Sequence, residues 1–160
     1  MTAQIDSVGT TPTITELFVG ALMFSTSAEV RDVLRFVEDL DVDEPAQTVL
    51  AAVRALALRG TPPSPQLVGD DLRRRGKLTR SVAVWLQNAT TSGACATAAR
   101  DYAAAVVAEA FRNRVESFGS GLASTAVSAS EADVAALVER AACGIRAVAA
   151  RLAELRSEEQ

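Results

Sequence analysis

The chain has 160 residues, of which 49% are hydrophobic and 22% are charged, and its formal net charge is −4. This composition excludes a disordered chain, and the negative charge excludes a global field that would draw the protein onto nucleic acid. There is no histidine, which removes the usual general base and the commonest metal ligand. No stretch approaches the roughly 18 consecutive apolar residues of a membrane span. We therefore expect no catalytic residue, no cofactor, no metal and no membrane association.

The first 40 residues carry signals for a tail and two helices. Residues 1–12 are polar and rich in serine and threonine, so we expect a disordered tail with no signal peptide. Thr13 and Glu16 have the spacing of a capping box and predict the start of the first helix. Ser27 is predicted to cap the second helix. Apolar residues at helical spacing predict the buried faces of both helices: Ile14, Leu17, Phe18, Ala21 and Leu22 in the first, and Val30, Val33, Leu34 and Val37 in the second.

Residues 39–44 form an acidic turn that leads into a helix–corner–helix unit over residues 45–78. We expect the acidic charges to favour the positive end of the next helix rather than to bind a metal. Gly60 suits a helix C-cap that needs a positive φ, and Gly76 is predicted to end the second helix of the unit. Ser64 offers an N-cap oxygen, and Pro65 follows at the first helical position.

Basic residues cluster at the end of this unit. Such a cluster is typical of a solvated helix terminus, and the alternative is a docking patch for an acidic partner or a phosphate backbone. No aromatic residue is interleaved with the cluster, which weakens the nucleic-acid version. The partner-docking patch predicted here consists of Arg73, Arg74, Arg75, Lys77 and Arg80.

A short helix with the only tryptophan follows, starting at Thr79 or Ser81 and ending at a break over residues 90–93. Trp85 is predicted to be a core anchor rather than a platform for a ligand. Cys95 and Cys143 are far apart and form no CxxC pair, so we expect free, mostly buried thiols in a reducing cytosol.

The second half of the chain predicts a hairpin of two long helices, over residues 96–120 and 130–156. In the last helix, apolar residues alternate in steps of four and three from Val134 to Leu155, which is a heptad seam. Val106, Val107, Leu137 and Ala142 lie off this seam and need another cover, so we expect self-association. The predicted self-association residues of the hairpin are Phe111, Val115, Phe118, Leu137, Ile145 and Val148.

The order of these parts resembles the N-terminal domain of bacterial replicative DNA helicases of the DnaB type. Each motif is short, but their order and spacing extend over about residues 14–155 and are most similar to actinobacterial members. The matching stretches are FVGALM at 18–23, PAQ at 45–47, RGTP at 59–62, LRRRGKL at 72–78, WL at 85–86, TTS at 90–92, YA at 102–103 and ADV at 132–134.

The chain also departs from the family pattern. Gln47 stands where the family has histidine, Ser64 replaces the usual aspartate, and Ala94 and Ala98 replace a proline and an asparagine. No helicase linker or ATPase domain follows in this sequence, so we expect a stand-alone paralogue of the helicase collar, or an excised copy of it. The resemblance implies a domain that dimerises through its hairpin, builds a collar of three dimers and docks the primase.

We therefore predict an all-α protein with a compact head of short helices over residues 13–93 and a long antiparallel hairpin over 94–156, forming one structural unit. The function expected from the resemblance is non-enzymatic: a protein-interaction module of DNA replication that forms a dimer or larger assembly and engages the helicase or the primase, in the cytoplasm or at the nucleoid. The alternative is a DNA-binding accessory factor that uses the basic patch, which salt-dependent binding would distinguish. An enzyme or small-ligand protein is disfavoured because convergent polar residues are lacking.

Overall fold

The computed structural model describes residues 11–157, and within them every regular element is helical. Two short 3-10 turns, Asp39–Asp41 and Ala96–Ala98, precede α3 and α6 respectively. No strand occurs in residues 11–157, which confirms the predicted all-α class. Most of the tail predicted at residues 1–12 lies outside the described residues. The seven α-helices are α1 Ile14–Met23, α2 Ser27–Val33, α3 Ala46–Leu58, α4 Pro65–Arg74, α5 Arg80–Thr90, α6 Ala99–Thr125 and α7 Glu131–Ser157.

Side chains cap free amide groups at the start of α1, α2 and α5, and the helix starts differ from the sequence prediction at two positions. Thr13 and Glu16 form the expected capping box, in which the Glu16 amide donates to Thr13 Oγ1 at 3.1 Å. In α2 the cap is Thr26 and not Ser27, because Thr26 has the glutamate three residues on that completes a capping box. Ser64 occupies the N-cap position of α4, but its side chain makes no capping hydrogen bond.

Two glycines end the helices of the corner as predicted. Gly60 follows α3 with φ 75°, and Gly76 follows α4 with φ 67°. A residue with a Cβ rarely adopts this left-handed conformation, so glycine is the natural residue at both points. The corner brings α4 back beside α3 and directs the chain into α5.

The core of the head is built around α1. Phe18, Val19 and Leu22 are fully buried, and α1 packs against α3, α5 and α6. Gly20 allows α1 to approach the end of α5, since a Cβ there would lie 2.5 Å from the carbonyl oxygen of Ala89. Trp85 is half-buried at the edge of this core.

The head also covers part of the hairpin, which changes one argument from the sequence. Val106 and Val107 of α6 are 2% and 0% exposed and belong to the core of the head. The prediction that they need cover from a second chain was wrong, because it considered the two long helices without α1. Their burial therefore gives no support to self-association.

The hairpin consists of α6 and α7, which have 27 residues each and pack against each other. At about 1.5 Å per residue each helix is roughly 40 Å long. Ala141, Val148 and Leu155 of the predicted seam are buried. Gly144 of α7 lies opposite the ring of Phe118 of α6, whose atoms would be 3.6 Å, an ordinary contact distance, from a Cβ at that position.

A buried ionic cluster fastens the hairpin to the turn before α3. The carboxylate of Asp41 has no exposed surface and accepts from Arg151 Nη1 at 2.5 Å and Nη2 at 3.1 Å. Arg114 Nη2 lies 3.4 Å from the same carboxylate, and Arg151 also donates to the carbonyl of Phe36 at 2.8 Å. The hydrogen bond with Asp41 raises the pKa of Arg151 against the opposing effect of burial. One carboxylate thus joins the head to both long helices.

Candidate functional site

The predicted basic patch is divided by a buried aspartate. Asp71 on α4 is 2% exposed and has three guanidinium groups around it. Arg59 Nη2 lies 3.0 Å from its Oδ1 and Arg75 Nε lies 2.8 Å from its Oδ2. Arg74 pairs with Asp70 at 3.0 Å and reaches Asp71 at 3.7 Å. Two of the five predicted patch residues, Arg74 and Arg75, therefore pair with aspartates of α4, while the pair of Arg59 with Asp71 joins the end of α3 to α4.

The other three patch residues remain available to a partner. Arg73, Lys77 and Arg80 are exposed, and within residues 11–157 none of them takes part in an ion pair. Arg73 lies near the end of α4, Lys77 lies in the turn that follows, and Arg80 opens α5. We call these three cations the cationic rim.

The cationic rim adjoins a groove of about 340 Å³ between α4 and α5. Its floor and walls are mostly apolar, and Arg73 lines it directly. We call this feature the α4–α5 groove. Its lining residues from α4 are Pro65, Gln66, Gly69 and Arg73, and those from the turn and α5 are Leu78, Ala83, Leu86, Gln87 and Thr90.

The predicted self-association residues divide into two groups in the structure. Val148 is fully buried within one chain, and Phe111 packs against the core of the head, so neither offers much surface to a second chain. Val115 keeps 43% of its surface exposed. Phe118, Leu137 and Ile145 are half-buried along the hairpin.

One exposed valine was missed among the predicted contact residues. Val138 of α7 is 44% exposed, close to the value for Val115. The heptad pattern placed Val138 inside the seam, but in the structure Ala141 is buried and Leu137 is half-buried, whereas Val138 is exposed. Val115 and Val138 are thus the most exposed large apolar residues within the two hairpin helices.

The acidic residues of the turn over residues 39–44 have two structural roles, in a helix start and in ion pairs. Glu44 accepts hydrogen bonds from the amide and hydroxyl of Thr48 in the first turn of α3, at 3.3 and 2.8 Å, as expected for an acid at a helix start. Asp39 instead pairs with Arg54 at 3.0 Å, and Asp41 forms the buried cluster. No group of three possible metal ligands occurs among the residues that the structure describes.

Both cysteines are exposed, so the prediction that they are mostly buried was wrong. Cys143 is on an exposed face of α7, and Cys95 lies just before the second 3-10 turn. A hydrogen bond with the Thr97 hydroxyl at 3.0 Å lowers the pKa of the Cys95 thiol. The two thiols are free. In the described part of the chain no helix is both long and apolar enough to cross a membrane.

Together these features define an all-α domain, with a head that carries the α4–α5 groove and a long hairpin that leaves apolar side chains exposed. No model of a known protein family matches the chain, and a search of curated proteins gives no match. Among solved structures, it is similar to the crystal structure of the N-terminal domain of DnaB helicase from Mycobacterium tuberculosis. The identity is 30% and the TM-score 0.69, over 83% of this chain and 94% of that one. The chain belongs to the family of DnaB helicase N-terminal domains.

Proposed function

We propose that this chain is a non-enzymatic interaction module of DNA replication, which self-associates through its hairpin and engages the replicative helicase or the primase. Membership of the DnaB N-terminal domain family supports a role connected with the replicative helicase. The observation that carries the proposal is the exposure of Val115 and Val138 on two helices whose other apolar residues are largely covered. A role in replication also implies a cytoplasmic location.

The physical argument rests on what the hairpin leaves uncovered. Val115 and Val138 each keep more than two-fifths of their surface exposed, and contact with another apolar surface would remove that area from water. A symmetric dimer needs only one self-complementary patch, because the same residues serve on both sides. A homologous hairpin with a similar seam can replace one copy, which would allow contact with a helicase collar.

Sedimentation velocity at tens of micromolar tests self-association. The wild type is expected to sediment as a dimer or larger species, and the double variant Val115→Lys, Val138→Lys as a monomer, because lysine adds charge to a surface that must lose water. Both sites are already exposed, so the fold of one chain should persist. Val84→Lys is the matched control, since Val84 is 53% exposed but lies on α5 of the head. A monomeric wild type would refute the hairpin dimer.

The partner is tested by mixing the protein separately with the N-terminal domain of the helicase and with the primase, and measuring heat or light scattering. Contact through the hairpin would be supported if the wild type and the Val84→Lys control bind the helicase domain and the double lysine variant does not. Absence of binding to both proteins would remove the replication partners and leave self-association alone.

The second candidate function is DNA binding by the cationic rim, which the unpaired state of Arg73, Lys77 and Arg80 favours. If all three contact phosphates of duplex DNA, the plot of log K against log salt concentration should have a slope of about −2.7. Titration of labelled duplex DNA at several salt concentrations measures this slope. A flat salt dependence, or no binding at low salt, would refute the candidate.

A further inference from the structure

The α4–α5 groove runs along facing sides of two helices. Pro65, Gly69 and Arg73 follow one another at steps of four on α4, which places them on one side of that helix. Ala83, Leu86 and Thr90 do the same for α5, at steps of three and four. An elongated groove between two helices has the shape that accepts the side-chain ridge of a third helix.

Gly69 keeps the middle of this groove open. It is an interior residue of α4, where glycine costs up to about 1 kcal/mol of helix stability relative to alanine. Packing does not require this glycine, because a Cβ there would meet only Leu86 Cδ2, at an ordinary 3.8 Å. Its φ is not positive either. The structural effect of the missing side chain is therefore the open space above Leu86.

Charge is distributed unevenly along the groove. Arg73 and Leu78 line one end, and Lys77 and Arg80 of the cationic rim are close to Leu78 in the sequence. The N-terminus of α5 and the C-terminus of α4 both lie at this end, so their helix dipoles oppose each other and the positive charge comes from the side chains. The other end carries the neutral side chains of Gln66, Gln87 and Thr90.

We infer that the α4–α5 groove is a docking site for an acidic amphipathic helix of a partner protein. Apolar side chains of that helix lie over Gly69 and Leu86, and its carboxylates meet the cationic rim. The inference rests on the proposed function as an interaction module and adds the chemistry of the partner. It concerns the head alone, so it stands or falls independently of the hairpin dimer.

The lining of the groove favours a protein helix over nucleic acid. A nucleic acid would contact Arg73, Lys77 and Arg80 through phosphates, but it would leave the apolar floor uncovered. None of the lining residues is aromatic, so the groove offers no surface on which bases stack. An acidic helix with one apolar face satisfies both the rim and the floor.

The probes are three labelled ligands measured by fluorescence anisotropy against the full chain. The first is an 18-residue peptide with leucines at helical spacing on one face and glutamates on the others. The second has lysine in place of every glutamate, and the third is a 20-nucleotide thymidine strand. Saturable binding of the glutamate peptide, at least tenfold tighter than that of the lysine peptide, is expected. No saturable binding of the glutamate peptide, or equal binding of both peptides, would overturn the inference.

Two variants separate the floor from the rim. Gly69→Met fills the groove and should weaken binding of the glutamate peptide by about tenfold or more, which is the loss expected when one apolar side chain of the peptide is no longer buried. Arg73→Glu should weaken it by about fivefold at low salt. Arg140→Glu on α7 is the matched control for charge, because Arg140 is exposed and distant in sequence from the groove; it should leave binding unchanged.

Gly69→Ala is the control for the possibility that the larger side chain of Gly69→Met disturbs folding. Its methyl group fits at an ordinary contact distance from Leu86, so thermal stability should stay equal or rise while peptide affinity falls by about threefold. Full binding by both Gly69 variants would overturn the inference. A second result would also overturn the inference and would assign the cationic rim to nucleic acid. In that result the thymidine strand binds and the peptide does not, and Arg73→Glu weakens binding of the strand while Gly69→Met leaves it unchanged.

Discussion

Removing the carboxylate of Asp41 should destabilise the protein far more than removing an exposed acid. The Asp41 side chain is 0% exposed, and that of Arg151 is 16% exposed. Truncation of one member of a buried ion pair leaves the other charge without compensation, at a typical cost of about 3–5 kcal/mol. Glu38 remains 3.8 Å from Arg151 and offsets part of that loss. For Asp41→Ala we expect a decrease of about 3 kcal/mol in the free energy of unfolding.

The assay is urea denaturation followed by helical circular dichroism, with thermal melting as a second measure. For a chain of this length the expected decrease corresponds to a fall in Tm of roughly 6–12 °C. Asp70→Ala is the matched control, because its partner Arg74 is 65% exposed and Asp70 itself is 54% exposed. An exposed pair of this spacing contributes only about 0.3–0.5 kcal/mol.

A double-mutant cycle with Arg151→Met isolates the pair itself. We call the buried pair of Asp41 and Arg151 the clamp. If the clamp is the cause, Asp41→Ala should lower the free energy of unfolding much less in the Arg151→Met background, because the buried positive charge is then already gone. A cost for Asp41→Ala within about 1 kcal/mol of that for Asp70→Ala would refute the reasoning. It would mean that the buried cluster is solvated or rearranges at little cost.

Two further predictions concern the helices of the head. Gly20→Ala should lower the free energy of unfolding by about 1–3 kcal/mol in urea denaturation, because the new Cβ would lie 2.5 Å from the backbone oxygen of Ala89. Gly119→Ala on α6 meets nothing within 4 Å and should instead be neutral or stabilising; equal effects would contradict the packing argument. Hydrogen bonds from the backbone and hydroxyl of Thr26 lower the pKa of Glu29, so its stabilising effect is present above the ordinary glutamate pKa and is lost as pH falls through the lower folded value. Thermal melts between about pH 6 and pH 3 should therefore show a steeper loss of Tm in the wild type than in Glu29→Gln, and parallel curves would contradict this.

Local signals predicted most of the helix boundaries. The capping box of Thr13 and Glu16 and the positive φ of Gly60 depend on residues a few positions apart, so a short window of sequence contains their cause. The choice of Ser27 over Thr26 as the cap of α2 was an avoidable error. Thr26 has Glu29 at capping-box spacing, whereas the residue three after Ser27 is Val30.

Contacts between distant residues could not be predicted in the same way. Asp41 and Arg151 are 110 positions apart, and nothing near either residue distinguishes it from an exposed charge. The same limit applied to Asp71, whose burial beside Arg59 and Arg75 depends on how α3 and α4 pack. The cover that α1 provides for Val106 is also a matter of tertiary packing, so a helical pattern alone could not show it.

Arg54 organises the loop that presents Asp41, which leads to a last prediction. Its guanidinium donates to the carbonyls of Leu34, at 2.9 Å, and Val37, and pairs with Asp39 at 3.0 Å. Arg54→Met keeps an apolar stem but leaves these carbonyls without their donor. A partly buried carbonyl that loses its hydrogen-bond donor costs about 1 kcal/mol or more. We therefore expect urea denaturation to show a decrease of roughly 2–3 kcal/mol in the free energy of unfolding. Arg112→Met is the control, since Arg112 is exposed on α6.

The location of the effect tests the reasoning more sharply than its size. If Arg54 holds the loop in the conformation that brings Asp41 to Arg151, amide hydrogen exchange in Arg54→Met should accelerate over residues 34–41 and should not in Arg112→Met. The combined variant Arg54→Met, Asp41→Ala should then lose less than the sum of the two single losses, because a loosened loop has already weakened the clamp. Losses that add within about 0.5 kcal/mol would show that the loop and the clamp are independent. In that case the head would hold the hairpin through its apolar contacts alone, and Arg54 would stabilise only its own turn.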